Sequence, residues 1–179
     1  MTGVAMPDNP LPAPNQMRRD SMGRLVAATW HGPGASPAPD RTGRARWLVA
    51  VDGSATALRA AAMAARLAAL RPHAEVDLVH VEPWLSKEAA EAELMQRSWA
   101  AAAPARQLLE AAALRWHLHA LMGGDAAAEI VGLAQALGSC GIAMGSQGQT
   151  AAQSLFMGSV AYKLVHLSRV PVLVVAPDK

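Results

Sequence analysis

The chain has 179 residues, 52% of them apolar and 17% charged, with a formal net charge of +2. That is enough for one domain with a sizeable core, and the pI of about 9.1 comes from scattered arginines without the aromatic-interleaved basic stripe of a nucleic-acid binder. A single cysteine, Cys140, excludes an internal disulfide framework and a cysteine-based zinc cluster, and a reducing compartment is the default expectation. No apolar run approaches the ~18 residues of a membrane span, and prolines interrupt the N-terminus where a signal peptide would carry its apolar stretch. The expectation is a cytoplasmic protein with no membrane and no nucleic-acid partner.

Residues 1–45 hold seven prolines, Pro7 to Pro39, with Gly32 and Gly34 among them, a composition that resists helices and ladders alike. They read as a flexible extension, with "MGRLVAATW" (22–30) as a possible short strand or anchor within it. From Arg46 the pattern changes to a domain over 46–179. Five short apolar runs follow, "WLVAV" (47–51), "VDLVHV" (76–81), "WHLHAL" (116–121), "GIAMG" (141–145) and "VPVLVVA" (170–176), each bounded by polar, Gly or Pro residues as buried strands are.

Helical segments lie between them. Residues 54–70 put Leu58, Ala61, Ala62, Ala65 and Ala69 on one stripe, and Pro72 ends the pattern. Residues 86–114 open with Ser86 as N-cap and acids in the first turns, and Pro104 should kink or split them. Residues 125–137 open with Asp125 and close at Gly138, a natural residue past a helix end. Residues 158–168 complete the set before Pro171. Helices between all consecutive strands imply right-handed crossovers. The fold class is therefore α/β, a doubly wound five-stranded parallel sheet in the order 3-2-1-4-5 with helices on both faces.

Ligands in such sheets sit beyond the carboxyl ends of the strands, where strand order reverses. The segments meeting there are "VDGS" (51–54) and "MGSQG" (144–148). No Gly-Lys pair exists to make a P-loop, and "DGSATA" lacks the dinucleotide fingerprint. No nucleophile elbow is present either. His117 and His119 share one face of the third strand, and without an evident third ligand they read as a polar strand face. His80 reads as a core histidine, and Cys140 as a small buried hydrophobe.

What does fit is G-x2-G-x9-G-[ST], from Gly145 and Gly148 to Gly158 and Ser159. With "WLVAVDGS", "LVHVEPW", "GGDAAAEIV" and "IAMGSQGQTAAQSLFMGSVAYKLVHLSRVPVLVV", the chain over roughly 46–177 resembles the universal stress protein family, in particular its ATP-binding branch. The resemblance implies that Asp52 lies close to a nucleotide and its Mg2+, that the Val81 backbone reads adenine, and that Gly145 and Gly148, beside Met144, let the loop pass around ribose and phosphates. It implies further that Gly158, Ser159 and Val160 seat the phosphates, as the free N–H groups and dipole of a helix N-terminus favour.

The chain departs from the family pattern at Gln147 and Gln149, where basic residues are frequent, at Ala126, where proline is, and at Cys140, where aspartate is. Neither Ala126 nor Cys140 is expected to touch the ligand. The function expected is an ATP-binding, dimeric stress-response or regulatory factor with little or no turnover, pairing through the last strand, 170–176. A nucleotide-free interaction module of the same family, serving an unknown protein partner, is the alternative.

Overall fold

The computed structural model of the chain describes residues 11–36, 46–148 and 157–177. The elements run β1 (Gln16–Arg19), β2 (Leu25–His31), β3 (Arg46–Ala50), α1 (Ala55–Ala69), β4 (Glu75–Glu82), α2 (Lys87–Ala111), β5 (Arg115–Met122), α3 (Ala126–Leu137), β6 (Gly141–Gly145), α4 (Ser159–Leu167) and β7 (Val172–Val175). All these strands join one sheet in the order β1-β2-β5-β4-β3-β6-β7. The strands from β3 onward pair in parallel. They keep the 3-2-1-4-5 arrangement among themselves, but the expected five-stranded, all-parallel sheet is corrected to a mixed one of seven.

The two added strands come from the segment read as a flexible extension. β2 falls on the stretch 22–30 that reads as a short strand or anchor, and β1 lies outside it; the prolines flank both strands and do not interrupt them, Pro14 preceding β1 and Pro33 following β2. β2 runs antiparallel along β5, with Ala27 opposite Leu121 and His31 opposite His117. Its Leu25, Val26, Ala28 and Trp30 are buried, so the strand brings its own share of core. Trp30 packs against Trp99 of α2, with ring centroids 5.5 Å apart, and its indole N–H donates to the Pro12 carbonyl at 2.8 Å. The hairpin tip is closed by Asp20, whose carboxylate accepts from the Met22 and Arg24 amides, and Arg19 is paired with Glu91 of α2.

Strand alternation divides the molecule into two packed layers. Val49 of β3, Val76 and Leu78 of β4, and Trp116, Leu118 and Ala120 of β5 face α1 and α2. Leu48, Val79, Ile142 and Met144 face α3 and α4. The buried stripe of α1 is Ala57, Ala60, Ala61, Ala64, Ala65 and Ala68, rotated from the expected one. Alanine on nearly every side leaves little contrast for periodicity to read, and close approach to the sheet decides the face. α2 runs unbroken through Pro104. Leu94, Ala102, Ala105 and Leu109 are buried along it, and that packing outweighs the ~3 kcal/mol an interior proline costs.

α1 begins where Ser54 caps it, its hydroxyl accepting from the Ala57 amide at 3.2 Å. Ser54→Ala is expected to lower the unfolding free energy by about 1 kcal/mol, read as a shifted urea midpoint with unchanged slope.

Candidate functional site

Strand order reverses between β3 and β6, and a cavity of about 300 Å3 opens beyond their carboxyl ends. Asp52 enters it from the turn after β3, where its Oδ1 accepts from the Ser54 amide at 2.9 Å. Val81 comes from β4, Met144 and Gly145 from the end of β6, Gly148 from the loop that follows, and Gly158, Ser159 and Val160 from the start of α4. All eight residues singled out in the sequence line this one cavity.

The glycines earn their places by contacts within the chain. A Cβ on Gly145 would stand 2.4 Å from Thr56 Oγ1, and one on Gly148 would stand 2.9 Å from Asp52 Oδ2. Both glycines therefore let the β6 loop close onto α1 and the Asp52 turn, and Thr56 Oγ1 fastens it by donating to the Gln147 carbonyl at 2.6 Å. Gly158 differs. It is the N-cap of α4 with no side-chain cap, its own amide donates to the Ser146 carbonyl at 2.7 Å, and Ser146 in turn donates to Val175 of β7 at 2.8 Å. The loop is thus tied to the sheet, and the positive end of α4 stands at the cavity wall.

Other contributors went unnoticed in the sequence or were given another place, Ala57, Val79 and Ala161 among them. His80, read as core, lines the cavity; its Nδ1 lies 2.8 Å from the Val51 carbonyl and its Nε2 3.0 Å from Glu82 Oε1. Ala126, expected to stay clear, lines it too, as does Ile130 of α3. Spacing alone carries no signal for these, since α3 reaches the site by packing. Cys140 is exposed, not buried, and its Sγ donates to the Arg46 carbonyl at 3.1 Å; desolvation pushes its thiol up from the ordinary value. Gln149 lies outside the described residues.

The profile of the universal stress protein family matches residues 44–176. The chain belongs to the universal stress protein family. Among solved structures, it is similar to the protein MJ0577, at 25% identity and a TM-score of 0.67, over 75% of this chain and 97% of that one. A universal stress protein from Archaeoglobus fulgidus aligns at 26% identity and a TM-score of 0.57, over 73% and 93% of the two chains. A further universal stress protein, solved in complex with cAMP, shares the fold at 23% identity and a TM-score of 0.58, over 73% and 96%. Comparison with curated protein sequences finds no significant match. The family match begins after β1 and β2, which this universal stress protein adds to the domain edge.

No helix among the described residues is long and apolar enough to cross a membrane.

Proposed function

We propose that this universal stress protein belongs to the ATP-binding branch and holds Mg-ATP in the cavity at the strand-order reversal. The observation that carries the reading is the convergence there of all eight expected residues with the N-terminus of α4, whose N-cap, Gly158, makes no side-chain cap bond. In that reading the first turn of α4 and the Ser159 hydroxyl receive the phosphates, and Val81 borders the base. Asp52, the one carboxylate among the described lining residues, faces the Mg2+. Divalent charge would offset the carboxylate beside the phosphates. The solved neighbour with cAMP supports the idea that the fold accommodates an adenine nucleotide in that protein.

The protein would hold ATP with little or no turnover. His80, the one imidazole lining the cavity, has an acceptor at each ring nitrogen, which leaves it poorly placed as a general base. We read its role as that of a cytoplasmic stress-response factor whose nucleotide state is sensed by a partner, as a dimer joined along β7. Val172, Leu173 and Val174 of that edge strand are only half-buried, and an apolar edge gains by pairing with its twin.

Calorimetric titration of Mg-ATP tests the proposal. Saturating Mg-ATP should raise the melting temperature by roughly 5–10 °C, with phosphate release near the buffer blank over hours. The neutral Gln147 favours the nucleotide-free module instead, because neutral donors bind phosphate about half as strongly as charged ones. No heat, no thermal shift and no nucleotide released on denaturation would establish that alternative. Sedimentation at two concentrations tests the dimer, and a strict monomer would exclude it.

A further inference from the structure

The sheet face that carries the nucleotide cavity at one end carries a second, separate cavity of about 320 Å3 toward the other, over β1, β2 and β5. Behind it lies a buried charged network. Arg46 of β3 donates to both oxygens of Asp77, at 2.8 and 2.7 Å, and is paired with Glu75 at 3.3 Å. Asp77 Oδ1 also lies 2.9 Å from His119 Nε2, and Glu75 Oε2 lies 3.3 Å from His117 Nε2. Both carboxylates are fully buried, and neither lines the cavity. They form a back row that orients the side chains in front of them.

The front row is made of imidazole, hydroxyl and guanidinium groups, of which His119 is engaged at both ring nitrogens, by Asp77 and Thr29. His117 and His119 project from β5, and β2 contributes Thr29, 3.3 Å from His119 Nδ1, and His31, whose ring stands edge-on to His117 at 5.0 Å. Arg18 of β1 stands at the rim. The far wall is apolar: Leu121 of β5, with Leu133 and Leu137 of α3. No group of three or more ligating side chains among the described residues is arranged to hold a metal ion. A polar head that includes Arg18, His31 and His117, facing an apolar wall, instead matches a small amphipathic anion.

We propose that this second cavity binds a compact organic anion, a carboxylate or phosphate monoester on a short apolar tail, and takes up a proton with it. Among the described residues the charges facing the imidazoles are Arg18, Arg46, Glu75 and Asp77, and α3 adds leucines at this wall. Among these described groups two cations stand against two carboxylates. Burial favours neutral rings, since desolvation lowers the pKa of both His117 and His31. The His117 and His31 rings stand 5.0 Å apart, so charging both is opposed by mutual repulsion. An anion seated among the rings supplies the missing counter-charge. Binding and protonation therefore favour each other, and affinity rises as pH falls.

The sign follows from the depressed ring values. As pH falls below ~6.5, where imidazoles of the unfolded chain take up protons, the folded chain lags and loses stability. A bound anion reverses that loss.

Calorimetry of the full chain with hexanoate and with butyl phosphate, near pH 6 and pH 8 and in two buffers of different ionisation enthalpy, is the test. At least one probe should bind saturably near pH 6, about tenfold more weakly near pH 8, with net proton uptake. The probe that binds distinguishes a carboxylate from a phosphate head. His31→Gln, at the half-buried rim, and His117→Gln should each weaken binding roughly fivefold and diminish the proton uptake, with cooperative unfolding confirming that each variant is folded. Absence of binding by both probes, equal affinity at both pH values, indifference to both substitutions, or equal binding of hexanol would each overturn the proposal. Mg-ATP plays no part in these measurements, so their outcome is independent of the first cavity.

Discussion

Gly158→Asp is expected to abolish Mg-ATP binding while leaving the fold intact, weakening affinity on the order of a hundredfold, about 3 kcal/mol. The residue is the N-cap of α4, at φ −61° and ψ 153°, a conformation open to any residue and suited to an aspartate, which is among the best N-caps. Its Cβ would meet the Ser146 carbonyl at 3.3 Å, a shift of a few tenths of an ångström. The new carboxylate would accept from the first-turn amides of α4 and fill with negative charge the place where the proposal seats phosphates. A variant that melts at or above the parent's temperature but no longer binds Mg-ATP would locate the site. Retained affinity in a folded variant would remove α4 from it.

Asp77→Ala is expected to cost about 3–5 kcal/mol of folding stability, the usual range when one partner of a buried ion pair is removed. Asp77 is fully buried and accepts from Arg46 twice and from His119, so truncation takes two hydrogen bonds from a buried guanidinium that keeps Glu75 at 3.3 Å. Burial alone would raise the Asp77 pKa, but hydrogen bonds from His119 and Arg46 outweigh it and hold the carboxyl at about 2. A depressed carboxylate contributes stability above its unfolded pKa of ~4, and that contribution is lost as pH falls from ~4 toward 2. Urea melts of parent and Asp77→Ala should therefore converge across that window. A parallel offset down to pH 2 would refute the assignment.

The same residues show what a one-dimensional reading retains. The five-strand block and the glycine loop were legible because each rests on local chemistry: apolar runs between turn residues, and Gly145, Gly148 and Gly158 at fixed spacing. His117 and His119 alternate with Leu118, so a polar face was legible on β5, while the matching alternation of Glu75 and Asp77 with Val76 and Leu78 on β4 went unread. The meaning of that face was not legible, because Arg46, the carboxylates and the imidazoles come from three strands, and His31 and Thr29 from a stretch that reads as a short strand or an anchor without naming β5 as its neighbour. The rotated face of α1 and the position of Ala126 have the same origin. Where side chains are nearly all alanine, tertiary approach and not periodicity selects the contact.

The β1–β2 hairpin also bears on how many copies of this chain can associate through their sheets. It occupies the margin beside β5, and the new margin, β1, is four residues long and fully exposed, carries Arg18 and Arg19, and is broken by a register shift between them. Short, charged, bulged strands accept neighbours poorly. β7 at the opposite margin remains the one apolar edge of the sheet. A sheet able to grow from one side alone would join a single twin and stop, so pairing along β7, as proposed, would close on itself through the sheet edges and not extend into a fibre.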